Sequence, residues 1–167
     1  MTGQALAGCK VEHFFCSDTG RAVATAEVIR RKAPALPLFV LDPRLRELSY
    51  GRWEGMLHEE IKAQFPELYT IYRARPEKFC APDGESFVDL RSRVASFLAG
   101  FEPLKTETCL IVTHSGVVRA ALGLLQKIPV EKFWETPSVP EGGICLIAYR
   151  DGSWQLIEEP NDRHLGE

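Results

Sequence analysis

No stretch of this 167-residue sequence approaches the roughly 20 consecutive apolar residues that a membrane-spanning helix needs. The opening MTGQALAGCKVEHFF has no charged segment leading into an apolar one, so a secretory signal is not expected. The five cysteines (9, 16, 80, 109 and 145) are odd in number and contain no CxxC pair. Small reduced core residues are a better expectation for them than a disulfide frame or a zinc site. Positive charge is not in excess: the net charge is −3, which gives no reason to expect nucleic acid or an anionic membrane as partner. Repeats, low-complexity tracts and linkers are lacking too, and the length fits a single domain over 1–167. What remains is an ordinary globular chain, with the cytoplasm as the default location.

The apolar pattern alternates between strand-like and helix-like stretches. VEHFF (11–15) is rich in strand formers and is followed by SDTGRAVATAEVIRRK, where Ala22, Ala26 and Ile29 recur at helical spacing behind a Ser/Asp/Thr start. PLFVLDP (37–43) reads as a second strand closed by proline. EGMLHEEIKAQFPELYTIYRARP gives one or two short helices broken at Pro66, and DGESFVDLRSRVASFLAGF a long amphipathic one with Phe87, Leu90, Val94, Phe97 and Leu98 on one stripe. TCLIVT (108–113) is continuously apolar, as expected for a strand covered on both faces of a parallel sheet. SGVVRAALGLLQKI reads as the next helix and ICLIAYRDGSWQLIE as a hairpin turning at Asp151-Gly152. Strands alternating with helices predict a three-layer α/β/α fold with a mostly parallel sheet. In such sheets ligands bind beyond the carboxyl ends of the strands, and His114 falls at one such end.

Four places are candidates for chemistry. His114 stands between an apolar strand and the Ser115-Gly116 turn, whose following helix offers unpaired N–H groups to an anion. A histidine that merely caps the strand is the plain alternative. Arg21 falls in the first turn of a helix, where a cation opposes the dipole. A solvated surface arginine is possible there, but its planar fork also suits phosphate. In LRELSYGRWEG (45–55), Glu47 and Glu54 compete as a general acid shielded by aromatics, with Trp53 as a pocket wall. PDGES (82–86) is well explained as a helix start, with Asp83 or Ser86 as cap and Glu85 favoured by the dipole.

Together these residues resemble the histidine phosphatase superfamily, the phosphoglycerate-mutase-like fold. SDTGRAVATAEVI resembles SSPLxRAxQTAEII, RLRELSYGRWEG resembles RLRExxFGxWEG, PDGES resembles PGGES, and IVTHSGVVR resembles VVTHGGVIR. The closing NDRHL is similar to the end of alpha-ribazole phosphatases. The resemblance implies a phosphatase of small phosphorylated metabolites, with alpha-ribazole 5'-phosphate (cobalamin assembly) as the substrate expected and no metal or other cofactor required. It makes Arg21, with Ser115 in place of a usual glycine, the phosphate ligands. It makes Glu47 the acid and His114 a stabiliser of charge on the transferring phosphoryl group. Asp18 stands where proline is usual and Ala24 where glutamine is common.

The resemblance also implies an opening strand ending in Arg-His-Gly, whose histidine is the nucleophile. No such tripeptide occurs here, and Gly3, Gln4 and Ala5 resemble the end of the helix after it. The expectation is therefore a fold lacking its first central strand, with about 25–30 residues of a βα unit upstream of Met1. A fragment or late-assigned start is favoured over a natively short, inactive chain. CSDTGR resembles a cysteine-phosphatase loop, but four residues separate Cys16 from Arg21 where that loop has five, so a thiolate nucleophile is not expected.

Overall fold

A computed structural model describes residues 2–100, 108–150 and 153–166. Three short strands, β1 (His13–Cys16), β2 (Val40–Leu41) and β3 (Cys109–Val112), form a parallel sheet in the order β2-β1-β3. A second sheet is the antiparallel hairpin of β4 (Ile144–Arg150) and β5 (Ser153–Asn161). Its expected turn at Asp151-Gly152 lies outside the described residues. Among the described residues no strand pairing joins the two sheets.

Period-two alternation places the layers. Phe14, Cys16, Leu110 and Val112 face one side, where α2 (Gly20–Lys32) covers them with Ala22, Ala26 and Ile29. Phe15, Cys109 and Ile111 face the other side and pack with α5 (Phe87–Ala99) and α6 (Ser115–Leu125). The predicted stripe on α5 is the buried one: Phe87, Leu90, Val94, Phe97 and Leu98. This is a mixed α/β architecture with a parallel sheet between helical layers. The helical hairpin α3 (His58–Gln64) and α4 (Pro66–Ala74) breaks at Pro66 as expected, because proline fits the first turn of a helix but not its interior. Gly3, Gln4 and Ala5, which resemble the end of a helix, fall in the short α1 (Thr2–Ala5), packed on α2.

Two expectations need correction. The second strand is not 37–43 but only Val40–Leu41, an edge strand with both side chains exposed. Pairing stops where Asp42 turns the chain, its carboxylate accepting from the Arg44 N–H to start a 3-10 turn. β3 is not fully buried either: Cys109, Leu110 and Ile111 are only partly covered. Its ladder bonds run to β1 alone among the described residues.

Candidate active site

All three parallel strands end at one rim, in register: Cys16 lies beside Val112 and Leu41. The ladder continues past them, with the Ser17 N–H donating to Val112 and the Asp42 N–H to Cys16, each at 2.9 Å. The residues just beyond, Ser17 to Arg21, Asp42 to Glu47 and His114, are therefore brought together by backbone geometry alone.

His114 caps α6 in an extended conformation. Its Nδ1 accepts a hydrogen bond from Arg21 Nε at 3.3 Å. In a neutral ring the other nitrogen then carries the hydrogen, so Nε2–H donates towards Ser17 Oγ at 2.9 Å and Thr19 Oγ1 at 3.1 Å. Burial first, and then the charges of Arg21 and Arg93, push His114 down to about 4, so the ring is neutral around pH 7. Arg21 spends only Nε on this contact, and its terminal nitrogens have no partner among the described residues. Ser115 opens α6 as its first residue and is exposed.

Glu47 reaches the same place from the other side. One carboxylate oxygen accepts from the Leu48 N–H at 2.9 Å and the other from the Gly116 N–H, at the first turn of α6, at 3.3 Å. A Cβ at position 116 would overlap that carboxylate, so glycine is what lets acid and helix end meet. Glu54, the rival, sits elsewhere on the loop and accepts from Ser49 Oγ at 3.4 Å. The structure thus brings Arg21, Glu47, His114 and Ser115 to one rim, while Glu54, which shares a cavity with Arg21 and Glu47, makes no bond to the α6 end.

PDGES does more than start a helix. Ser86 is the cap of α5, paired with Asp89 in a capping box, while Asp83 is in a left-handed turn instead. Glu85 does not serve the dipole. It grips Arg93 through two bonds of 2.6 and 2.9 Å, and Arg93 in turn donates to the Arg44 carbonyl at 2.6 Å and the Glu47 carbonyl at 3.1 Å. Gly51, at φ 51°, packs so closely on the Pro82 carbonyl that no side chain fits there, and Gly84 packs likewise on the Ser49 carbonyl.

Beside this rim opens a cavity of about 700 Å³, in the range of small-ligand sites, to which both Arg21 and Glu47 contribute. Tyr50, Trp53, Tyr69 and Tyr72 form its aromatic wall, with His58 at its edge. Trp53 is nearly fully buried, as expected of a pocket wall. Burial, with Tyr72 beside it, raises the Tyr50 hydroxyl well above its ordinary range.

Sequence reasoning missed Ser17, Thr19, Arg46 and Arg93. Ser17 and Thr19 were expected only as a helix start. Yet the Thr19 side chain makes no cap bond to α2, and both hydroxyls turn to His114. Arg46 pairs with Asp18 through contacts of 2.7 and 2.6 Å. Cys16 is fully buried, its thiol pushed up to about 11 chiefly by burial and donating to the Ser17 carbonyl, the opposite of a reactive thiolate. Among the described residues no group of three or more His, Cys, Asp or Glu forms a metal-binding cluster, and no helix is long and apolar enough to cross a membrane.

Comparison with known proteins adds four findings. Residues 1–162 match the model of the histidine phosphatase superfamily (branch 1). The adenosylcobalamin/alpha-ribazole phosphatase of Escherichia coli is 27% identical over 130 residues, 77% of this chain and 63% of that protein. Phosphoserine phosphatase 1 of Hydrogenobacter thermophilus is 30% identical over 96 residues, 57% of this chain and 46% of that protein. The chain thus spans about half to three fifths of these two relatives. Among solved structures, Bacillus stearothermophilus YhfR superposes with a TM-score of 0.90 at 27% identity, over 98% of this chain and 81% of that one.

Proposed function

Since the chain belongs to the histidine phosphatase superfamily, we propose that its single domain takes up a small phosphomonoester at the rim and hydrolyses it without a metal. The terminal nitrogens of Arg21 and the Ser115 N–H at the start of α6 receive the equatorial phosphoryl oxygens. The neutral His114 stands ready to donate or share a proton as charge develops. Glu47, in its acid form, protonates the leaving oxygen as a water attacks phosphorus in line, and the proton of that water leaves with the product phosphate. The observation that carries this reading is the Arg21–His114 contact, with Glu47 held one residue past Ser115 on the same helix end.

The substrate we propose is alpha-ribazole 5'-phosphate, acted on in cobalamin assembly in the cytoplasm. NDRHL at the close of the chain, the short span between Glu47 and PDGES, and an aromatic wall suited to a planar base support it. The similarity to the Escherichia coli alpha-ribazole phosphatase is a further support.

A second reading has its own observation. The nucleophile implied by the family is an Arg-His-Gly histidine, and the 167 residues contain no such tripeptide. The other imidazoles stand elsewhere: His13 opens β1 at the far end of the strand, His58 lies against Tyr69, and His164 is bonded to Thr2. A site that binds the phosphate without turnover is therefore the alternative.

The test is phosphate release from p-nitrophenyl phosphate and alpha-ribazole 5'-phosphate, alongside calorimetry with inorganic phosphate. Release that disappears in Arg21→Ala and His114→Ala is expected. Release that survives His114→Ala overturns this site. Binding of inorganic phosphate that Arg21→Ala abolishes, with no release, establishes the second reading.

A further inference from the structure

The charges around the cavity sort the esters that the proposed site accepts, an inference that rests on the phosphomonoester reading above. Two guanidiniums line this cavity. Arg21 is committed to His114 at the phosphoryl end. Arg46 is committed too, its Nε and Nη2 held by both oxygens of Asp18 at 2.7 and 2.6 Å. A forked guanidinium closed on a carboxylate presents a neutral pair to a third group. Glu54 faces the same space with only a 3.4 Å bond from Ser49 Oγ, so its negative charge has no cationic partner among the described residues. Beyond the phosphoryl end, the walls therefore offer aromatic rings, one neutralised arginine and one uncompensated carboxylate.

We propose that Asp18 and Glu54 are specificity residues that reject a second anionic group on the substrate. The alcohol part of an accepted phosphomonoester is then uncharged or cationic. An incoming carboxylate would meet an Arg46 whose charge Asp18 already offsets, leaving only Nη1 and one Nη2–H to donate, and would also sit near the unpaired charge of Glu54. A hydroxyl, a ribose or a neutral ring meets neither.

Glycerol 3-phosphate and 3-phosphoglycerate test this, because they differ only in a hydroxymethyl group against a carboxylate. Their affinities are measured by displacement against inorganic phosphate at low ionic strength, where exposed charges are least screened. The wild-type chain is expected to prefer glycerol 3-phosphate by about fivefold or more. Asp18→Asn and Glu54→Gln should each bring the ratio towards one, with 3-phosphoglycerate gaining about three- to tenfold. A wild-type preference for 3-phosphoglycerate, or a ratio unmoved in both variants, overturns the proposal while leaving phosphomonoester binding intact. If inorganic phosphate itself does not bind, the phosphomonoester reading falls and this inference falls with it.

Discussion

At the strand rim, Ser17, Thr19, Arg21 and His114 hold one another through hydrogen bonds of 2.9 to 3.3 Å. In the aromatic core behind the cavity, Trp53, Tyr72, Phe79 and Phe87 hold one another through ring contacts of 5.0 to 5.8 Å, and of these Trp53 and Tyr72 line the cavity wall. The rim residues are delivered by strand ends and the backbone would run the same course without their side chains. The wall residues belong to the core under α5, and most of its apolar burial lies there. On the proposed function, phosphate would be met by side chains that carry little of the folding energy, and the rest of the substrate by a wall continuous with the core.

The sharpest way to break that contrast is Phe87→Ala. Phe87 is 1% exposed and lies 4.3 Å from the Phe133 ring centre. Its loss should lower unfolding free energy in urea by about 3–5 kcal/mol. Phosphate affinity measured on the folded protein should change far less. Arg21→Ala is the converse: roughly a hundredfold weaker binding of inorganic phosphate, with stability within about 0.5 kcal/mol of wild type because the side chain is exposed. If the two variants shift both quantities together, the regions are not separable.

Ser17→Ala sharpens the contrast at the boundary, since Ser17 is a rim residue that is fully buried. Removing one acceptor for Nε2–H should cost about 1–2 kcal/mol of stability. It should also move the imidazole nitrogen resonances of His114 away from a single tautomer. An unchanged nitrogen spectrum would show that Arg21 and Thr19 suffice to orient the ring.

The pH dependence of His114 is a further check on the rim. Its folded value of about 4 lies below the ordinary 6.5, so between these values the unfolded chain takes up a proton that the folded chain refuses. Stability contributed by the neutral ring is complete above 6.5 and declines as the pH falls towards 4. The urea midpoint of wild type minus that of His114→Asn should therefore shrink over that window and stay level above it. A difference independent of pH contradicts a neutral, desolvated ring.

The legible part of the sequence was what local periodicity controls. The stripe of α5, the break at Pro66 and the buried face of α2 follow from spacing alone. That Arg21, Glu47 and His114 meet at one rim was legible because each closes or follows a strand-like run, and a parallel sheet gathers such positions at one edge. β2 was overread because Leu38, Val40 and Leu41 are apolar yet exposed, and hydrophobic pattern does not reveal an edge strand. Ser17 and Thr19 were misread because hydroxyls before a helix usually cap it, whereas a contact made 97 and 95 residues away outcompetes the local one here. Arg93 carried no local signal at all: its partner Glu85 is eight residues back, outside the helix, at a spacing that no helical pairing rule marks.

The mesh of Gly51 with Pro82 and of Gly84 with Ser49 reaches beyond this site. Two turns more than thirty positions apart in the chain share one thickness of backbone, as a zip shares its teeth. Neither can be lengthened, resurfaced or grafted into another scaffold by itself without displacing Glu47, which the first one carries. For anyone redesigning this protein, 45–55 and 82–86 make up a single exchangeable cassette.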